Sequence, residues 1–281
     1  MKSVREAASV VVFNELEEIL FVKRPKTAKA WANMMVFPGG KVDAADNDAP
    51  TASPYPHVPS RFFNAAIREL FEEVDVSLTA PRLWTALTQA DRRQWRHRIV
   101  DDKDDFGSLL RRAKCAAQVD ELLPFSHVIT PEGSPHRFDT WFFLARITGA
   151  DVPHVETHNS ELDGECLWLT AQDALAGYSK GLFAFATPQL YLLHQFRQFE
   201  STNKLWATAK ADAATGNIPT VLPQRLPPSD DFPGTFTVFP GDPLYRHRAL
   251  YPIPHRMHLD LSDPSKSTFE IPRRPNNVVV N

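Results

Sequence analysis

Glu69, Glu72 and Glu73 stand at i, i+3 and i+4 in the segment AAIRELFEEVDV. A helix of about 3.6 residues per turn puts all three carboxylates on one side, where like charges repel even in water. Something cationic should offset them. Carboxylate oxygens are hard donors suited to magnesium or manganese, ions that bind through a few carboxylates and keep water and substrate phosphates in their remaining positions. The cluster is therefore a candidate metal platform, set against the plainer alternative of a solvated acidic helix face. Its surroundings strengthen the first reading. Arg68 lies beside the acidic side, and Gly39-Gly40 follows Phe37-Pro38 upstream, where two glycines let the backbone turn sharply and approach a ligand or a helix end. Asp43 and Asp46 add further acid.

These residues need a frame. Leu70, Phe71 and Val74 fall within about 60° of Ile67 on a helical wheel, which predicts a helix over Phe63–Val74 with its apolar stripe opposite the acids. Val10–Phe13 and Ile19–Val22, β-branched and aromatic runs about a polar turn, predict two strands. Asn47–Ser60 turns to Pro, Ser, Ala and Asp, the composition of a surface insertion. Leu83–Leu123 has polar helical spacing, interrupted by DDKDD at Asp101–Asp105, and reads as a small helical insertion. A strand at Phe138–Ile147 follows, then a short one at Cys166–Leu169 and helices from Ala171 to Ser201. Beyond Ala207 the character changes: 12 of the 24 prolines lie from Pro219 onward, mixed with short alternating runs such as FTVF and HRMHLDL. Hairpins wrapped on the main domain fit that pattern better than a second enzyme core does. The expected division is a main domain over 1–206, with insertions at 47–60 and about 83–123, and a Pro-rich extension over 207–281.

VFPGGKVDAAD and AAIRELFEEVDV together resemble the Nudix hydrolase signature, a glycine, five residues, an acid, then a spacer leading to Arg-Glu-hydrophobic-x-Glu-Glu. Gly40, Asp46, Arg68, Glu69, Leu70, Glu72 and Glu73 hold those positions. Asp46 stands where the family usually has Glu, the spacer to Arg68 is longer, and Asp75 replaces the usual glycine after the helix. The first two departures leave the metal ligands intact; the third bears on the helix-ending turn, since Asp visits left-handed backbone less easily than Gly. The long spacer, TPEGSPHRFDTWFFLA at Thr130–Ala145 and ELDGECLWLTAQDAL at Glu161–Leu175 are similar to the branch of peroxisomal coenzyme A diphosphatases and their bacterial relatives, over roughly Val10–Phe196.

That resemblance implies an α/β fold, a Nudix-type mixed sheet sandwiched between helices, here with a helical insertion and a Pro-rich C-terminal extension. It implies divalent-metal-dependent hydrolysis of a nucleoside diphosphate linked to another moiety, with coenzyme A or acyl-coenzyme A foremost. ADP-ribose, NADH or a nucleotide sugar are the alternatives, and a non-catalytic nucleotide-binding module is the rival. Magnesium or manganese would be held by Glu69, Glu72 and Glu73 with Gly40 beside them. Glu161, with Glu165 second, would supply a further ligand or base from the loop before the last strand, and Arg68 would pair with a carboxylate. Arg24, Arg68 and Arg137 are the substrate-side cations, because guanidinium forks match phosphate oxygens.

With 31 basic and 34 acidic residues the formal charge is -3, without the positive field that nucleic acid or an anionic membrane rewards. The expected partner is a small nucleotide diphosphate; self-association is left open. No run approaches the length of a membrane span, no signal-peptide cleavage site follows the N-terminal apolar stretch, and Val279, Val280 and Asn281 do not form an SKL-type address. A cytoplasmic, reducing compartment is the expectation. Cys115 and Cys166, far apart and without a CxxC, read as core thiols. His154 and His158 fall in a loop, His255 and His258 would point to opposite faces of a strand, and His127 and His136 take structural roles.

Overall fold

The β-branched runs at the N-terminus form β1 (Arg5–Phe13) and β2 (Ile19–Lys23) about the expected polar turn. β3 (Met35–Val36), β4 (Gly39–Lys41), α1 (Ala44–Asp48) and α2 (Ser60–Val74) carry the glycine pair and the acids. β5 (Thr79–Ala80) pairs with β6 (Ala116–Ala117), closing off an insertion that holds α3 (Leu83–Ala86), α4 (Gln89–Val100) and α5 (Phe106–Ala113). Next come β7 (Leu123–Ile129), β8 (Phe138–Arg146), β9 (Cys166–Leu169), α6 (Ala171–Ser179), α7 (Thr187–Phe196) and α8 (Thr202–Thr215). β10 (Thr220–Val221) precedes β11 (Gln224–Leu226), β12 (Thr235–Val238), β13 (Arg256–Leu259) and β14 (Thr268–Glu270). The structure is a computed structural model that describes residues 4–28, 31–48, 52–101, 103–155, 166–218, 220–228, 234–247 and 252–272.

The main sheet is mixed. β1 runs parallel to β8 from Arg5 opposite Phe138 to Phe13 opposite Arg146, β2 and β4 lie antiparallel to β1, and β7 lies antiparallel to β8 and parallel to β10. α2 covers one face, packing Phe62 against Trp141 and Phe63 against Phe143 with tilted rings. α7 and α8 cover the other, with Phe196 and Trp206 against Phe13. This is the expected sheet between helices. Phe63, Ile67, Leu70, Phe71 and Val74 of α2 are wholly buried, each contributing roughly 1.5–3 kcal/mol before chain entropy is subtracted. Among the described residues no helix is long and apolar enough to cross a membrane.

Three segments differ from expectation. α2 starts at Ser60, since Pro59 holds an extended φ of -59° and ψ of 139° that launches the helix three residues early. The helical segment expected to reach Leu123 is interrupted by β6 but resumes as a 3-10 turn over Val119–Glu121. β7, which follows it, was not anticipated: Pro124, Ser126 and His127 break its apolar alternation, and a bulge between Pro124 and Ser126 absorbs the misfit. The C-terminal hairpins form one four-stranded antiparallel sheet. Its register sets Thr237 opposite both Met257 and Arg225, and Thr235 opposite Leu259. Phe239, Met257 and Leu259 thus share the side that joins the main core, while Phe236 and Val238 cluster with Tyr245 on the other.

α2 ends at Asp75 in the left-handed region, φ 56°, and the reason lies in its side chain. Arg92 of α4 donates from Nε to Asp75 Oδ2 at 2.9 Å, and both side chains are buried. Asp75→Gly relaxes the backbone by about 1 kcal/mol but strands a buried guanidinium, a loss of about 3–5 kcal/mol. Net destabilisation of about 2–4 kcal/mol is expected in a denaturant titration; a variant as stable as the parent would show that the turn, not the ion pair, holds this helix end.

His255, 1% exposed, packs against both Phe239 and Tyr191 and donates from Nδ1 to the Pro240 carbonyl. Burial pushes its pKa down to about 4, against the hydrogen bond to Pro240 and the nearby Asp242 carboxylate. The unfolded chain takes up a proton near pH 6.5 and the folded one only near 4, so stability is complete above 6.5 and declines as pH falls through that window. The loss is on the order of 3 kcal/mol. His255→Phe keeps the packing and should lessen the dependence of melting temperature on pH between 7 and 4.5, leaving the part due to His194, which burial also pushes down to about 4; an unchanged slope would remove His255 as a source.

Candidate active site

The glycine pair brings two backbones together. Gly39 sits opposite Ser9 with φ +149°, and a Cβ there would lie 2.3 Å from the Ala8 carbonyl oxygen. A Cβ on Gly40 would fall 2.3 Å from Glu69 Oε1, so the Glu69 carboxylate rests directly on the Gly40 backbone. The Gly39 amide donates to Glu73 Oε2 at 2.8 Å, tying α2 to β4.

Arg68 is the centre of the cluster. Nε and Nη2 donate to the two Asp46 oxygens at 3.1 and 2.9 Å, Nη1 to Glu69 at 3.0 Å and Glu72 at 3.1 Å, and Nη2 also to the Lys41 carbonyl at 2.8 Å. A guanidinium has five N–H donors, and all are spent on the protein. Arg68 therefore positions the acids and has no donor left for a substrate phosphate. With Asp43 at 3.6 Å, four carboxylates face this single cation. Burial pushes the Glu69 carboxyl well above the usual carboxylate range, opposed by Arg68 and reinforced by the charges of Glu72 and Glu73. Glu72 is raised too, by burial against the pull of Arg68.

From the far side the insertion clamps the same helix. Arg96 donates from Nε to the Glu72 carbonyl and from Nη2 to the Glu73 carbonyl, both at 3.0 Å, placing positive charge where the last turn of α2 is negative. Arg92 and Arg96, one turn apart on α4 behind the Thr88–Asp91 capping box, were missed in the sequence. Their i, i+4 spacing was the available signal.

Glu69, Glu72, Arg68, Gly40 and Arg24 all line one cleft of about 1740 Å³. Glu73 is 3% exposed and turned to Gly39, off the cleft wall. Arg137 is also absent from the wall, its Nε donating to the Thr130 carbonyl. Glu161, Glu165 and His158 lie outside the described residues. His127 is held by Thr220 and Asp139 and stacked on Trp141, and His154 stacks on Trp84, so both are structural. Both cysteines are half-buried, and burial takes the Cys166 thiol up to about 11, far from a nucleophile's range.

The donor set fits a divalent cation of the hard class. Among the described residues no three acidic, His or Cys side chains converge on one point as a closed cage. Glu69 and Glu72 both face the cleft, and four clustered carboxylates exceed the one guanidinium that neutralises them. An open pair of this kind suits an ion that keeps its remaining positions for water and substrate oxygens.

Residues 55–196 match the family model of the NUDT19 Nudix domain. The chain belongs to the Nudix superfamily. Within it, this Nudix chain is 33% identical over 195 residues to the putative nudix hydrolase 7 of Caenorhabditis elegans, the match covering 69% of this chain and 61% of that one. It is 27% identical over 281 residues to the acyl-coenzyme A diphosphatase NUDT19 of Gallus gallus, covering 81% and 72%. The crystal structure of a Nudix hydrolase from Alicyclobacillus acidocaldarius superposes with a TM-score of 0.58 at 25% identity, over 69% of this chain and 91% of that one. The match thus spans only about three fifths of the nematode relative's length.

Proposed function

We propose that this Nudix chain hydrolyses a nucleoside diphosphate linked to a second moiety, with coenzyme A or an acyl-coenzyme A as the substrate class. The observation that carries the reading is the Arg68-centred acid cluster on the wall of a cleft of about 1740 Å³. Pockets for compact ligands run to about 1,000 Å³, so this one suits an extended molecule. The relatives' names support the coenzyme A class by analogy.

Glu69 and Glu72 would hold magnesium or manganese, with the Gly40 backbone beside them. When bound, such an ion neutralises charge on the diphosphate oxygens and acidifies water. Arg68 fixes both carboxylates, so their orientation is set before substrate arrives. Glu73 anchors Gly39 and thereby holds Gly40 against Glu69. Arg24 is one of the cations on the cleft wall and is suited to a phosphate, and Glu161 remains the proposed source of a further acid. The unit proposed to do this spans 1–206, carrying the extension over 207–281.

The test is a magnesium-dependent turnover screen of coenzyme A, an acyl-coenzyme A, ADP-ribose, NADH and a nucleotide sugar, with mass detection of both products. Release of adenosine 3′,5′-bisphosphate from coenzyme A is the expected result. Turnover of the other compounds alone would transfer the substrate class, and binding without turnover of any would leave a nucleotide-binding module.

A further inference from the structure

Among the described residues lining the cleft, Arg24 Nε, Asp104 Oδ2, which is ion-paired with Arg98, and two neutral polar atoms are buried with no hydrogen bond in the protein; the neutral two are Gln189 Oε1 and Thr237 Oγ1. Their residues are 7% and 2% exposed. Polar groups withdrawn this far from water are normally paired, and one left bare is costly. Neither belongs to the acid cluster. Gln189 lies in the first turn of α7, and Thr237 lies on the side of β12 that faces the main domain. Tyr191 and Phe239, each two residues further along, stack at 4.6 Å and fix the two segments against each other.

We propose that Gln189 and Thr237 form a polar subsite for the part of the substrate beyond the diphosphate, so that the C-terminal sheet is one wall of the substrate site. An amide oxygen needs an N–H, and a hydroxyl can donate or accept. The matching ligand group therefore carries an N–H beside an acceptor, as an amide or a nucleobase edge does. Phe138 and Phe142 line the same cleft and supply apolar surface of the kind a flat group requires. Arg225 reaches the same cleft from the neighbouring strand, exposed at its rim. The assignment rests on the proposed hydrolysis for its substrate class and on the two unpaired atoms for its place.

Thr237→Val removes the hydroxyl at nearly constant shape. KM for coenzyme A should rise about five- to tenfold, the scale of one lost hydrogen bond, with kcat within about twofold and an unchanged or higher melting temperature. Gln189→Leu should act in the same direction, and Thr237→Ser should restore the parent KM. A rise for coenzyme A but not ADP-ribose assigns the subsite to the amides of the pantetheine arm; a rise for both assigns it to the nucleobase. Unchanged KM for both substrates in both variants overturns the subsite. So does a lowered melting temperature with no rescue by serine, which is a packing role. Calorimetric titration of coenzyme A and ADP-ribose into magnesium-free protein reads the same loss as Kd. A parent that binds but hydrolyses neither would sink the hydrolysis alone, and one that binds neither sinks both.

Discussion

Glu72→Gln is expected to lower kcat for coenzyme A cleavage by about 10²–10³-fold, the scale on which a preorganised electrostatic group acts, without lowering the melting temperature. Glutamine keeps the Oε1 acceptor that now takes the Arg68 Nη1 proton at 3.1 Å, so the local geometry survives. What disappears is the charge, which is costly to hold here: burial raises the Glu72 pKa even with Arg68 beside it. Neutralising a desolvated carboxylate that repels Asp43 and Asp46 should leave the fold equally or more stable. Loss of turnover with stability retained separates a chemical function from a structural one. Full turnover by this variant would leave the acid cluster with no role in the reaction.

The apolar stripe of α2, the paired N-terminal strands and the glycine turn were legible because each is written in local spacing. Convergence of Gly40, Arg68, Glu69 and Glu72 was legible too, through motif order. What covers the acids was not. A wheel places Glu69, Glu72 and Glu73 opposite the core stripe and hence toward solvent, yet in the fold Glu72 and Glu73 are buried beneath α4 and the β4–α1 segment, and Glu69 is nearly so. The pairings responsible, Arg92 with Asp75 and Arg96 with the Glu72 and Glu73 carbonyls, join residues 17 to 24 positions apart across an insertion. Asp75 shows the same limit. Read as a departure from glycine, it looks like a strained turn; in three dimensions it is half of a buried ion pair. Gln189 and Thr237 carry no signal of type or spacing, and only the register of the C-terminal sheet brings Thr237 to the cleft.

Replacing Arg68 by Met should be the most damaging single change at the site. The side chain keeps an unbranched apolar stem and loses all five donors, leaving Asp46, Glu69 and Glu72 buried without their shared cation. Removing one partner of a buried ionic group costs about 3–5 kcal/mol, read as a drop in the denaturation midpoint at pH 7.5. Turnover should fall at least about 10²-fold, because a displacement of roughly 1 Å in catalytic groups is enough for that. The deficit should also depend on pH in a defined sense. Glu69 and Glu72 already have raised carboxyl pKa values through burial, opposed by Arg68; without the guanidinium they rise further. The folded variant then binds more protons than the unfolded chain, so its stability falls as pH rises through the folded values and is regained as pH is lowered toward the usual carboxylate range. Arg68→Lys restores one charge but not the fork that bridges Asp46 to both glutamates, and should recover part of the stability and little of the turnover. A methionine variant with the parent's stability at pH 7.5 would mean that the four carboxylates are already neutralised by protons, and the case for a cation at this site would fall with it.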